Sequence, residues 1–215
     1  MTYLQLVNSV LRRLRENEVD TVPETSYSVL IGDFVNDSKQ IVEDSHSWSA
    51  LRTAIDISTV SGTSVYALTG AGQDVEVREA MNTSSNGRLN TQNRSYMNKY
   101  YRINTPLSGT PNEFAFSGTD DNGDITVQVY PLPNGIYNLY FDAFVRQPDL
   151  TEDATRLKVP YNPVLQLALA MALRERGETG GQSAAEQFAI ADAVLSDAVA
   201  FDANKYEEDT LFTAV

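Results

Sequence analysis

The chain has 215 residues, a hydrophobic share of 42% and a formal net charge of −13. This length suffices for one sizeable domain or two small ones that fold without cross-links. The absence of cysteine excludes disulfides, thiolate metal sites and cysteine nucleophiles. The negative charge disfavours tight binding to nucleic-acid phosphates, and no apolar run reaches the length of about twenty residues that crosses a bilayer.

The first fifty residues predict a pair of helices. Apolar residues recur there at steps of three and four, at Leu4, Val7, Val10, Leu11 and Leu14. They form one stripe on an amphipathic helix that Thr2 could cap. After Val22-Pro23, Thr25 or Ser26 begins a second helix, which runs to about His46 and Trp48.

From Leu51 the apolar period changes to two, which predicts strands. Short β-prone runs follow, at 65–68, 74–80, 99–103, 113–116, 125–130 and 136–145. Asn-Gly turns within Asp121–Asp124 and Pro133–Gly135 predict two hairpins. Between Met81 and Asn98 the chain is too polar to pack, so we expect a long exposed loop or mobile hairpin there.

The C-terminal part predicts a helical hairpin and a tail. From Pro163 a helix is apolar nearly all round, which indicates that it is covered on most sides. After the glycine-rich segment 177–181, a last alanine-rich helix extends to about Ala203. The tail, residues 206–215, is acidic and then apolar, so Tyr206, Leu211 and Phe212 are candidate docking residues for a partner.

Together these patterns predict an α+β protein. An N-terminal helix pair, residues 1–48, and a C-terminal helical hairpin, residues 159–205, form an α-helical bundle. An antiparallel β-rich domain, residues 49–150, is inserted between them, with the long polar loop near 81–98. Because Arg12, Arg13 and Arg15 follow the first apolar positions, the reverse of a secretory signal, we expect synthesis in the cytoplasm.

Few residues point to catalysis. The single histidine, His46, stands at a helix end, where interaction with the helix dipole is favoured over pairing with a serine. Asp120–Asp124 is the densest carboxylate run, but its glycine is wrongly placed for an EF-hand and the pattern is typical of a hairpin turn. Gly70-Ala71-Gly72 lacks the third glycine and the helix of a dinucleotide loop. We therefore predict no catalytic residue, no metal site and no cofactor.

A local excess of positive charge lies in the middle of the chain, interleaved with tyrosines. Its members are Arg78, Arg88, Arg94, Lys99 and Arg102. They could face an anionic surface, or only keep an exposed loop and strand edge soluble. Because the chain as a whole is acidic, we expect docking onto an acidic protein partner rather than contact with nucleic acid.

Three segments of the chain form a recognisable order. They are an opening helix, Tyr3–Leu14, a second helix that ends near Trp48, and Val159-Pro160-Tyr161-Asn162-Pro163 leading into an apolar helix; a helix from Ala184 to Ala203 completes the order. This layout resembles the adaptor proteins of the tailed-phage head-to-tail connector, including the tail-tubular type. The polar stretch 81–98 matches nothing in that layout.

The resemblance implies a structural virion subunit and no enzymatic reaction. Such subunits form a ring, commonly a dodecamer, between the portal protein and a downstream tail or nozzle protein. DNA passes through the central channel without specific binding, which the acidic charge of the chain would assist. The resemblance also implies that neighbouring subunits of the ring cover the apolar helix that begins at Pro163.

Two other functions stay open on the sequence alone. A virion-associated cell-wall glycosidase would use two of the many Asp and Glu residues as acid and nucleophile. A glycan- or receptor-binding module would use the tyrosines of the β-rich region, which are Tyr96, Tyr100, Tyr101, Tyr130, Tyr137 and Tyr140. Loss of lytic activity on mutation of one carboxylate would indicate the first, and glycan binding by a monomer the second.

Overall fold

The computed structural model describes residues 1–177 and 182–205. The chain divides into two compact units. The helical unit comprises Met1–Ala50 and Gln147–Val215, and the β unit comprises Leu51–Arg146. The predicted α+β class is confirmed, because long helices and largely antiparallel sheets occur in the same chain.

Three of the helices in the described residues begin where a side chain accepts from a backbone amide of the first turn. In chain order they are α1 (Tyr3–Arg13), α2 (Ser26–Asp44), α3 (Arg94–Asn98), α4 (Tyr161–Arg176) and α5 (Gln182–Ala203). At the start of α1, Thr2 Oγ1 accepts from the amide of Gln5, whose side chain accepts from the amide of Thr2. Thr25 and Ser28 form the same reciprocal pair at the start of α2. The predicted cap at Thr2 is confirmed, because each pair satisfies amides that have no partner within the helix.

The apolar helix α4 is covered by its own chain. It contacts α1, α2 and α5, and Val164, Ala168 and Ala172 are fully buried. Arg176 ties its last turn to the end of α1, donating to the Leu14 carbonyl oxygen at 3.2 Å. The prediction that α4 is covered on most sides is confirmed, but the expectation that neighbouring subunits cover it is wrong. Three helices of the same polypeptide already bury its surface.

The β unit contains two four-stranded sheets. Its strands are β1 (Arg52–Ser58), β2 (Val65–Ala67), β3 (Glu76–Asn82), β4 (Gly87–Arg88), β5 (Asn90–Thr91), β6 (Ser108–Gly109), β7 (Glu113–Thr119), β8 (Ile125–Tyr130), β9 (Leu132–Pro133) and β10 (Asn138–Phe144). One sheet has the order β1-β10-β3-β4 and the other β2-β8-β7-β5, while β6 and β9 form a short parallel pair.

One apolar core joins the two sheets of the β unit. Phe114 on β7 and Phe141 on β10 belong to the same buried cluster, and their rings meet edge to face with centroids 5.4 Å apart. Strands β1, β10 and β3 pair in antiparallel fashion, as do β2, β8 and β7. Residues from both inner faces therefore interdigitate in one core, as in a β-sandwich.

Segment 81–103 contains the end of β3, then β4, β5 and α3, so it is not a long loop. The alternative expectation of a hairpin holds for its first part, because β3 and β4 pair in antiparallel fashion. Residues 99–103 are not a strand, because they continue α3 as a π-helical turn. Leu89 and Met97 are 6% and 0% exposed. These two apolar side chains anchor the polar stretch in the β unit.

Of the two predicted hairpins, one is confirmed. Asp121–Asp124 joins the antiparallel strands β7 and β8, and Asp120 Oδ1 accepts 2.9 Å hydrogen bonds from the amides of Asn122 and Asp124. The hairpin predicted at Pro133–Gly135 is wrong, because that turn connects β9 to β10, which belong to different sheets. Turn chemistry specifies a reversal of the chain, and sheet topology decides which strands pair.

Candidate interaction surfaces

Two of the predicted docking arginines lie on adjacent strands beside carboxylates. Arg78 on β3 is 3.4 Å from Glu76, and its guanidinium lies over the Phe144 ring, 5.5 Å from the centroid. Arg88 on β4 is 2.9 Å from Glu79. These carboxylates of the same sheet offset the positive charge that the two arginines would present to an external partner.

The other three predicted cations lie on α3 and the turn that follows it. Arg94 donates to the carbonyl oxygen of Ser117. Lys99 and Arg102 are exposed, and neither forms an ion pair within the part of the chain that the structure describes. The five cations thus form two groups. Tyr206, Leu211 and Phe212, predicted from the tail, lie outside the described residues.

Three loops meet at one end of the β unit. The Leu132 amide donates to Leu107 O at 2.8 Å, the Gly62 amide donates to Pro133 O at 2.9 Å, and the Thr59 amide donates to Tyr137 O at 2.8 Å. These bonds hold together segments 59–63, 103–110 and 131–137. We call this end of the β unit the β tip.

The β tip carries exposed apolar side chains. Val60, Leu107, Ile136 and Ile103 are 59%, 66%, 77% and 80% exposed. Sequence reasoning missed them as a surface because they come from three segments far apart in the chain, and because Ile103 and Ile136 fall in runs predicted to be strands. Only two of them stand beside Pro or Gly, in Pro106-Leu107 and Gly135-Ile136. Exposed apolar side chains on neighbouring loops are typical of a protein interaction site.

Helix α5 presents a second apolar surface. Among its described side chains only Ala184, Ala191 and Asp202 are buried. Ile190 and Phe201 are 49% and 77% exposed. Because α5 rests on α4 along one side, its other side carries apolar residues that no described residue covers.

Four tyrosines of the β unit pack on one another. Tyr100 contacts Tyr96 and Tyr130 with ring centroids 4.8 and 4.7 Å apart, and Tyr101 meets Tyr130 at 5.9 Å. Tyr101 donates a 2.6 Å hydrogen bond to Val129 O, and burial raises the pKa of its hydroxyl to about 12. Since these rings stack within a small core with Met97, they serve packing rather than presenting faces to a sugar.

A groove of about 450 Å³ runs along β1, which is an edge strand. The residues that line it, all from the described part of the chain, are Thr53–Ser58, Ala67, Thr69, Gly70 and Val145. They include one carboxylate, Asp56, and no aromatic ring. A glycosidase needs two facing carboxylates, so this groove offers neither the acid–nucleophile pair nor a stacking platform.

A model of the SU10 adaptor protein family matches residues 1–209. The chain belongs to this family. It is a family of phage head-to-tail adaptors, so the resemblance inferred from the layout of the chain is confirmed. The match includes the polar stretch 81–98 that the layout alone left unassigned. No curated protein matches the chain.

The adaptor is a structural component of the phage virion. None of the helices in the described residues is long and apolar enough to cross a membrane. The exposed surfaces of this adaptor, rather than a pocket, are therefore the candidate functional sites.

One carboxylate fixes the last turn of α5 in the adaptor. Asp202 is 3% exposed and accepts from the amide and hydroxyl of Ser49 at 2.8 and 2.7 Å. Lys205 donates to it at 2.8 Å, and His46 Nε2 lies 3.4 Å away. Burial opposes ionisation, but the hydrogen bonds from Lys205 and Ser49 outweigh it and lower the Asp202 pKa. These bonds hold the end of α5, and with it the exposed Phe201, to the segment after α2.

Proposed function

We propose that this adaptor forms a ring between the portal protein and a downstream tail or nozzle protein, and that the ring lines the channel for the genome. The family match supports the adaptor role. The structural observation that supports ring formation is the uncovered apolar side of α5. A subunit with such a surface is stabilised when another copy covers it.

The outward side of α5 has the pattern of a helix-packing surface. Ala189, Ala193 and Ala200 are exposed and recur at steps of four and seven, so they share one stripe. Ile190 and Phe201, three turns apart, lie together on one side of this stripe. Small side chains allow a second helix to approach closely, and the two large residues supply apolar area to bury. A heterologous contact of this kind forms a ring when its rotation closes around an axis.

The charge of the chain suits a channel that DNA traverses. A ring of subunits, each with a formal charge of −13, repels the phosphate backbone overall. Because tight binding to DNA depends on neutralising phosphates with cations, an acidic lumen opposes a bound state and allows sliding. In this proposal the DNA touches the adaptor in passage and is not recognised.

Electron microscopy of the purified protein, with and without its portal protein, tests the proposal. Rings formed alone or on the portal are the expected result, since a template can complete an interface that is too weak in the free protein. A protein that stays monomeric and unbound in the presence of the portal would overturn the ring, and mass photometry of the same mixtures measures the assembly state independently.

A further inference from the structure

We propose that the β tip of one subunit binds the C-terminal segment, residues 206–215, of a second copy. This inference rests on the proposed ring, which brings copies together, and it adds a contact that the α5 interface does not require. The occupant is an acidic segment followed by apolar residues, which is the chemistry complementary to the tip.

The apolar part of the tip provides the first half of this complementarity. Ile103 and Leu107 are 80% and 66% exposed and lie four residues apart in one segment. The bond from the Leu132 amide to Leu107 O fixes that segment against the β8–β10 connection, which bears Ile136. The tail carries Leu211 and Phe212. Covering the tip with such side chains removes apolar surface from water on both partners.

The charge around the β tip provides the second half of the complementarity. The β tip and the residues that flank it, 59–65, 99–112 and 131–137, contain no Asp or Glu, although the chain as a whole has 29 acidic residues and only 16 basic ones. Lys99 and Arg102 are exposed in the turn that leads to Ile103, without an ion pair among the described residues. The tail contributes Glu207, Glu208 and Asp209, two residues before Leu211. Its order of acidic then apolar residues thus parallels the order from Lys99 and Arg102, which precede the tip, to Leu107 on the tip.

The tail is long enough to lie across the β tip. Residues 206–215 follow the last turn of α5, which Asp202 holds to Ser49. Ten residues in extended form reach roughly 33 Å. That reach exceeds the length of a strand of six residues, about 20 Å, so a segment of this length can contact three adjacent loops.

Site-specific photo-cross-linking in the full-length protein tests the contact. A benzophenone amino acid replaces Leu107, isotopically light and heavy protein are mixed, and rings are assembled on the portal before irradiation. We expect cross-links from position 107 to the peptide 206–215 in light–heavy pairs. The same amino acid at Asn122, which is exposed in the hairpin at the opposite end of β8, is the matched control and should give none.

Charge reversal tests the electrostatic part of the proposed contact between the β tip and the tail. The pair Lys99→Glu and Arg102→Glu should lower the cross-link yield about fivefold, the scale of one or two exposed ion pairs. Adding Glu207→Lys and Glu208→Lys should restore it. Both cations are exposed, so the variants retain the fold, which circular dichroism checks.

Three results would overturn the inference. Cross-links confined to pairs of one isotope would place the tail on its own subunit. Cross-links from position 107 to the portal alone would assign the tip to another partner. Rings without any cross-link between tip and tail would refute this contact and leave the proposed ring intact, whereas the absence of both rings and cross-links would refute both.

Discussion

The Nζ atom of Lys39 donates a hydrogen bond of 2.6 Å to the main-chain carbonyl oxygen of Gln147. Lys39 lies on α2 and is 2% exposed, and Gln147 is the residue at which the chain returns to the helical unit. Glu43 and Asp149 lie 3.5 and 3.7 Å from the same ammonium. A buried cation thus holds the returning chain against α2.

Replacement of Lys39 by methionine should destabilise the helical unit strongly. The variant removes the donor to Gln147 and the ammonium 3.5 Å from the buried Glu43 carboxylate, a loss of about 3–5 kcal/mol. Urea unfolding followed by far-ultraviolet circular dichroism measures the change. Lys158→Met, at an exposed position, is the control and should shift stability by no more than about 0.5 kcal/mol. Equal midpoints for the two variants would contradict a structural role for Lys39.

Asp202 should make the helical unit sensitive to acid. Its pKa is lowered in the folded protein from the ordinary value of 3.8. Its stabilising contribution is therefore complete above that value and is lost as the pH falls from about the ordinary value through the folded pKa. Urea midpoints should drop over this range in the natural protein, and Asp202→Asn should remove part of that drop. Asp197→Asn, on the exposed side of α5, should leave the pH profile unchanged.

Gly32 should not tolerate a methyl group. A Cβ at this position of α2 would overlap the hydroxyl of Tyr3 on α1 and lie 3.1 Å from a Val22 methyl. Overpacking of this kind costs about 1–3 kcal/mol, so Gly32→Ala should lower the melting temperature. In the double variant with Tyr3→Phe, removal of the hydroxyl should recover part of the loss. If the changes in unfolding free energy of the two single variants simply add in the double variant, the two positions do not clash.

Phe201→Glu should abolish assembly without unfolding the subunit. Phe201 is 77% exposed, so the loss of its phenyl group changes the folded monomer little. In the proposed helix contact, however, the new carboxylate would be buried. Mass photometry and electron microscopy with the portal measure assembly, and thermal unfolding measures the fold. The control Ile41→Glu changes a 45% exposed residue of α2 and should still give rings. Rings from the Phe201 variant would exclude α5 as the contact.

The long helices were predictable because their signals are local. The stripe from Leu4 to Leu14 and the cap at Thr2 specify α1, and the apolar run after Pro163 specifies α4. The prediction failed where a few residues had to be placed by distant partners. Segment 99–103 has a β-prone composition, but it follows Met97, which is buried in the β unit, and continues α3 as a helical turn.

The candidate surfaces also differ in whether the sequence predicts them. The exposed cations Lys99 and Arg102 were predictable, because charged side chains outside an apolar period stay in water. The β tip was not, because Val60, Leu107 and Ile136 are far apart in the sequence and meet only through hydrogen bonds between three loops. The structure also shows that α4 is covered within the subunit, whereas α5 rests on α4 and keeps exposed apolar residues on its other side.

Periodicity, caps and turn residues therefore decide where the long helices and the reversals of this adaptor lie, since each depends on neighbours within a few positions. Only the tertiary structure decides which strands pair, which helix keeps an exposed apolar side and which loops form the β tip. Those outcomes depend on the burial of apolar surface between segments far apart in the chain, as where Phe114 meets Phe141, and no local pattern encodes that choice of partner.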